Sequence, residues 1–220
     1  MRTAPRVVYW DNLPAPYGVE RYNALADRGT IDFSVWFARR IEPDRSWEVK
    51  ESDWRFKGAY IEDPSQGLEA AHRFVRRCDE VRPDLVLSLY GERPFVIGHC
   101  LLKGLGIRTA LHVQPTFDAW VQRAWWKEVA KAVLFRSADA AKVPGPDGLQ
   151  VARRYGFPAE RVSCVTQSTN VEQYAASISP DARQRLRESL GGDGCVFLYV
   201  GRLWNGKGLS VLLDAFRHAK

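Results

Sequence analysis

Two cations bracket a glycine-rich turn late in the sequence: Arg202 and Lys207, within Gly201-Arg202-Leu203-Trp204-Asn205-Gly206-Lys207-Gly208. Ahead of the turn, the apolar run Cys195-Val196-Phe197-Leu198-Tyr199-Val200 predicts a strand buried on both faces. Behind it, Leu209, Leu212, Leu213 and Phe216 recur at i, i+3, i+4 and i+7, the core-facing stripe of a helix. A strand, a glycine turn and a helix start make an anion site, because free backbone N–H groups and the helix dipole converge there. Arg202 would offer a fork of donors to phosphate oxygens, and Lys207 a point charge at the helix start. Such a pair stabilises negative charge developing on a departing phosphate, and needs no metal to do so. The alternative is a plain strand–helix turn with two solvated cations.

Other candidates stand at strand ends. His112 closes the apolar run Arg108 to Val113, and such ends form the crevice of an open α/β sheet. There it would touch a hydroxyl of the substrate; Gln114 or Thr116 takes that place if the register slips by one or two residues. A core or surface histidine is the other reading. In the first loop, Gly18 allows close backbone approach to a ligand, or else serves an αL turn. Tyr17, Glu20 and Arg21 flank it, and Glu92 and Arg93 occupy a later strand-end loop. Along Trp120–Arg136, Trp120, Arg123, Trp126 and Lys127 form a cationic aromatic strip suited to anionic lipid, or one side of a core helix.

Positioning these residues requires alternating elements. Strands are predicted at Arg6–Trp10, Ile31–Phe37, Leu85–Leu89, Arg108–Val113, Ala140–Val143 and Arg161–Val165. Helices fall between them, closed by Gly29, Gly106 and Gly156. A long polar stretch from Ala38 to about Gln66 reads as a loop, although Trp47, Trp54, Phe56 and Tyr60 imply that parts of it pack. The alternation implies an α/β, Rossmann-like parallel sheet with helices on both faces. This domain ends near Tyr174; residues 175–220 are a bridge and the opening strand–helix unit of an incomplete second Rossmann-like domain.

Composition bounds the partners. A surplus of 32 Lys and Arg over 26 Asp and Glu fits nucleic acid, an anionic membrane face or a polyphosphate substrate. No zinc-finger spacing or RNA-recognition signature supports nucleic acid. The eight tryptophans beside these cations lean toward a membrane surface. No apolar run approaches the ~20 residues that span a bilayer, and the N-terminus leads straight into a strand without a signal-peptide pattern. The four cysteines are scattered without metal or redox spacing, so they read as reduced residues of a cytoplasmic protein, peripheral on the inner membrane face if it meets lipid.

The turn at 201–208, continued by Leu212-Leu213-Asp214-Ala215-Phe216, resembles the donor-site motif of retaining family-4 glycosyltransferases of the GT-B fold. The resemblance extends to Pro16-Tyr17-Gly18 and Tyr22–Ala26, to Arg45–Val49, to Ala138-Asp139-Ala140 with Gly145, and to Arg161–Tyr174. Only the 201–208 motif is specific. It implies that Gly201, Arg202 and Lys207 hold the diphosphate of a nucleotide-sugar donor, with His112 in the cleft and Tyr17, Gly18 and Glu20 on the acceptor-side loop. Tyr17 stands where the family often has a second glycine.

The implied activity is transfer of a sugar to a glycan, lipid or small-molecule acceptor with retention of configuration, without cofactor or metal. The family's later glutamate pair has no counterpart, which implies a truncated chain, inactive alone. Two alternatives stay open: a non-catalytic binding or assembly half of a split transferase, and an NAD(P)-dependent oxidoreductase. The second lacks a Gly-x-Gly-x-x-Gly turn after Arg6–Trp10.

Overall fold

A computed structural model describes residues 4–41, 49–61, 68–91, 93–114, 124–175, 178–191, 194–201, 203 and 205–219. The chain divides into two compact units, Met1–Asn170 and Val171–Lys220. The first holds a seven-stranded, wholly parallel sheet in the order β3-β2-β1-β4-β5-β6-β7. Its strands are β1 (Arg6–Asp11), β2 (Asp32–Phe37), β3 (Lys57–Tyr60), β4 (Leu85–Leu89), β5 (Thr109–His112), β6 (Ala140–Val143) and β7 (Val162–Cys164). The chain winds outward from β1 in one direction through β2 and β3, then returns to β4 and winds the other way. Order therefore reverses between β1 and β4.

The pleat of β1 sends alternate residues to opposite faces. Val8 and Trp10, both fully buried, meet the layer of helices α2 (Leu68–Val81) and α3 (Arg93–Gly104). The Trp10 indole stacks on Phe74 of α2 at 4.0 Å between ring centres and lies 4.5 Å from Phe95 of α3. On the same sheet face, Leu111, Ala141 and Val143 pack with Leu134 and Phe135 of α4 (Trp125–Ser137) and Val151 of α5 (Pro146–Arg154). The opposite face carries Tyr9, Phe33, Val35 and Phe37, covered by Val19 and Tyr22 of α1 (Pro16–Asp27). Proline opens α1 at its first turn, and Gly29, with φ of 62°, stops it where the sequence predicted. No helix among the described residues is long and apolar enough to cross a membrane.

Two expectations are corrected. The polar stretch after Ala38 contains β3, an edge strand paired with β2. Its sequence, Lys-Gly-Ala-Tyr, has no apolar alternation because an edge strand with a solvated side needs none. Buried Asn23 of α1 anchors the approach: its amide donates to the Asp53 carbonyl at 2.9 Å and its oxygen accepts from the Arg55 N–H at 2.7 Å. Trp54 and Phe56 thereby stack on each other at 5.3 Å and join the core around Phe37. Gly58 is required there, since a Cβ would lie 2.1 Å from the Trp54 ring.

The second correction concerns Cys195–Val200, which is not a strand. A strand needs a neighbour to take its N–H and C=O groups, and the described residues of the second unit provide none. Phe197, Leu198 and Val200 are exposed, and Phe197 meets Phe216 edge-on at 5.0 Å. That unit consists of α6 (Val171–Ala175), α7 (Pro180–Ser189) and α8 (Leu209–His218) with the segments joining them. Ser179 caps α7 by accepting the Ala182 N–H at 3.2 Å. The predicted stripe on α8 forms as a helix face, yet Leu213 and Phe216 on it remain exposed.

The fit of Trp10 against α3 is tested by Gly98→Ala. A Cβ at 98 would stand 2.5 Å from the Trp10 ring, so overpacking should cost about 1–3 kcal/mol. The urea midpoint should fall accordingly; an unchanged midpoint would mean that the indole yields freely.

Candidate functional site

Ligands of open parallel α/β sheets bind outside the carboxyl ends of the strands where strand order reverses. In this sheet that place lies between β1 and β4, and a cavity of about 210 Å³ opens there, lined in part by Tyr9, Asp11, Tyr17, Gly18, Arg21 and His112. Register explains the grouping. Trp10, Ser88, Leu111 and Ala141 are successive partners across β1, β4, β5 and β6. Leu111 and Ala141 of this row belong to the helix-covered core. One residue further along each strand stand Asp11, Leu89, His112 and Lys142, on the opposite face. The last two are direct partners.

Hydrogen bonds hold these side chains. The Tyr22 hydroxyl donates to Oδ2 of Asp11, and the Asn12 N–H donates to Oδ1 at 2.8 Å. The Tyr9 hydroxyl bonds Nδ1 of His112. Burial raises both phenol pKa values well above the usual range, with the Asp11 charge adding to the effect, so both tyrosines keep their protons. Tyr22 commits its proton to Asp11, while Tyr9 and Nδ1 of His112 share a hydrogen bond whose direction depends on the imidazole tautomer. Nε2 of His112 has no hydrogen-bond partner among the described residues.

Burial, then the nearby charges of Lys142 and Arg21, lowers the His112 pKa to about 3, so the ring is neutral at ordinary pH. Burial raises the Asp11 pKa, against the opposing pull of its two hydrogen bonds. Lys142 is lowered by burial and by Arg21. Burial and neighbouring charge are what tune groups in binding and catalytic clefts.

The sequence candidates fall in several places. His112 and Gln114 line the cavity, as do Tyr17 and Gly18. Tyr17 is half-exposed; its carbonyl accepts from Nε of Arg21 at 3.2 Å, and its ring lies 5.5 Å from that guanidinium. Gly18 sits within the first turn of α1 without a positive φ, so the αL-turn reading is set aside; a Cβ there would touch the Tyr22 ring at 3.5 Å. Glu20 turns elsewhere, accepting the Asn170 N–H at 3.1 Å. Arg93 is exposed at the start of α3.

In the second unit, Gly201 and Lys207 are exposed, and Lys207 ends a short 3₁₀ turn before Gly208, whose φ of 69° opens α8. Arg202, Glu92, Thr116, Trp120 and Arg123 lie outside the described residues. Sequence reasoning passed over Tyr9, Asp11, Tyr22 and Lys142. Asp11 carried a usable signal, being the polar residue that ends an apolar strand. The two tyrosines look like core residues until register places their hydroxyls beside Asp11 and His112.

No protein-family model and no curated protein matches this sequence. Solved structures do match in fold. HepE of Anabaena in complex with UDP aligns with a TM-score of 0.67 at 16% identity, over 98% of this chain and 58% of its own. UDP-GlcNAc 2-epimerase of Neisseria meningitidis bound to UDP-GlcNAc aligns at 0.57 and 13% identity, over 96% and 63%. A UDP co-structure of S. aureus MnaA aligns at 0.54 and 11%, over 83% and 49%. The chain thus spans less than two thirds of the length of these proteins. What it shares with them is the fold, a Rossmann-like parallel sheet with helices on both faces, as in GT-B-like proteins.

The buried histidines make stability depend on pH. His99 of α3 hydrogen-bonds the Ser137 hydroxyl through Nε2 at 2.8 Å, and burial lowers its pKa to about 4. Both folded values lie below the unfolded one near 6.5. The unfolded chain therefore takes up protons first, and stability present above pH 6.5 is lost as pH falls toward 4. Asp11, raised rather than lowered, opposes this in part. Each histidine should cost about 2 kcal/mol between pH 7 and pH 5. Urea unfolding at the two pH values should show the loss in the natural protein and a smaller one in His112→Gln and His99→Gln. Equal midpoints at both pH values would refute the neutral, buried assignment.

Proposed function

We propose that the protein, at its full natural length, transfers a sugar from a nucleoside diphosphate sugar to a hydroxyl of a glycan, lipid or small-molecule acceptor, with retention of configuration. The observation that carries this reading is the cavity at the strand-order reversal, lined by neutral His112 and by Asp11. The fold is shared with proteins crystallised with UDP, UDP-glucose and UDP-GlcNAc. In this reading residues 1–174 form the acceptor side and 175–220 the linker and opening segment of a donor-binding domain. Gly201, Arg202 and Lys207 hold the diphosphate, whose charge grows as the bond between C1 and the phosphate oxygen breaks. Tyr17 and Gly18 border the acceptor, with Glu20 on the same loop. No metal or cofactor is required, because these cations supply the charge.

A second reading, epimerisation of the sugar while it is still attached to the nucleotide, is supported by the placement of a carboxyl group and an imidazole around one cavity, a pair able to remove and return a proton. We place the protein in the cytoplasm with α4 on a lipid face. Trp125, Trp126, Val129 and Val133 are exposed along that helix, and the Lys127 ammonium lies 5.2 Å from the Trp126 ring.

Incubating the full-length protein with uridine, guanosine and adenosine diphosphate sugars should release a nucleoside diphosphate from one of them. Arg202→Ala or Lys207→Ala should lower turnover roughly 10²–10³-fold; wild-type rates in both would end the assignment. A changed sugar still bound to its nucleotide would select the epimerase reading. Sedimentation with vesicles containing anionic phospholipid should retain the protein and lose it on Trp125→Ala with Trp126→Ala; equal sedimentation of both would remove the lipid contact.

A further inference from the structure

Among the described residues, the charges around the cavity do not balance. Asp11 is the carboxylate among them, and its oxygens already accept from the Tyr22 hydroxyl and the Asn12 N–H. Two cations act on it, Arg21 from α1 and Lys142 from β6. Arg21 uses only Nε, on the Tyr17 carbonyl, and its terminal nitrogens have no hydrogen-bond partner among the described residues. Lys142 is half-buried beside His112 in the sheet, with no hydrogen bond or ion pair among those residues. Among the described residues, one unit of positive charge is left over in a partly desolvated place. His112, 2% exposed, lines the same cavity with Nε2 unpartnered among the described residues. The first turn of α1, which borders the same space, holds no acidic residue and has no side-chain cap.

A neutral sugar would leave the surplus cation uncompensated and would not need Arg21 at the cavity wall with Lys142 next to His112 behind it. An oxyanion fits each feature: it accepts from the guanidinium fork, it accepts from Nε2 in the tautomer that carries its proton there, and it relieves the repulsion between Arg21 and Lys142. We propose that this cavity binds an oxyanion carried by the acceptor, a phosphate or carboxylate attached to the hydroxyl-bearing compound. The acceptor class is then a phosphorylated or acidic sugar or polyol rather than a neutral one. This rests on the reading of the cavity as the acceptor side of a glycosyltransferase.

The test titrates the full-length protein with inorganic phosphate, glucose 6-phosphate, glucuronate and glucose, each in the presence of saturating UDP so that a diphosphate site elsewhere is filled. Glucose 6-phosphate or glucuronate should bind at least tenfold more tightly than glucose. Arg21→Gln and Lys142→Met should each weaken the anion roughly tenfold or more. Lys142→Arg, which keeps the charge, should bind as the natural protein does. Phosphate should also shift the Nε2 resonance of His112 in the natural protein, a readout independent of whether the variants fold.

Three outcomes would overturn the proposal: equal binding of glucose and the anions, wild-type anion affinity in both charge-removing variants, or an unmoved His112 resonance. The two readings fail separately. Sugar transfer to neutral acceptors that is unchanged in Arg21→Gln and Lys142→Met removes the oxyanion site and leaves the transferase. Anion binding at His112 without turnover of any nucleotide sugar removes the transferase and leaves the oxyanion site.

Discussion

The pleat of one strand organises this molecule. β1 lies inside the sheet between β2 and β4, and its side chains must alternate between faces. Trp10 goes to the face covered by helices, where Phe74, Phe95 and the bare backbone of Gly98 enclose it. Tyr9 and Asp11 therefore go to the other face, beneath α1. A shift of one residue in β1 would exchange the sets, burying a carboxylate among the apolar side chains of α2 and α3 and moving the indole away from Phe74 and Phe95. The packing demand of Trp10 thus also sets the position of the site.

The fold tolerates the polar groups Asp11 and His112 on this face because each has a hydrogen-bond partner and borders the cavity. Two tyrosines supply those partners. Tyr22 serves Asp11, Tyr9 serves His112, and the two rings pack edge-on at 5.4 Å. Their rings add apolar area to the core under α1 while their hydroxyls satisfy groups that would otherwise be costly to bury. His112 is kept neutral by its surroundings, so its imidazole does not titrate near neutral pH. Arg21 and Lys142 come from a helix and a strand far apart in sequence, and the parallel sheet brings their charges to the same end.

Much of the framework was legible beforehand. The alternation of apolar runs with helical stripes located β1, β2, β4, β5, β6 and β7, and Gly29, Gly106 and Gly156 stopped helices with positive φ. β3 was not legible, because Lys57-Gly58-Ala59-Tyr60 has no pattern of its own and becomes a strand through β2 and the clamp of Asn23. Cys195–Val200 failed in the opposite sense. Its composition is that of a buried strand, but composition supplies no neighbour to pair with.

For the site, His112 could be named from its position at a strand end, and Tyr17, Gly18 and Arg21 from the first loop. Asp11, Tyr9, Tyr22 and Lys142 could not be joined to it, since they lie up to 133 positions apart along the chain and nothing local links them. The sequence by itself determined which segments are strands and helices and that the sheet is parallel, because periodicity and glycine stops are local properties of the chain. The tertiary structure alone decided which strand ends became neighbours, which phenol serves which buried group, and that two cations share one carboxylate, because pairing across a sheet is set by packing between distant segments.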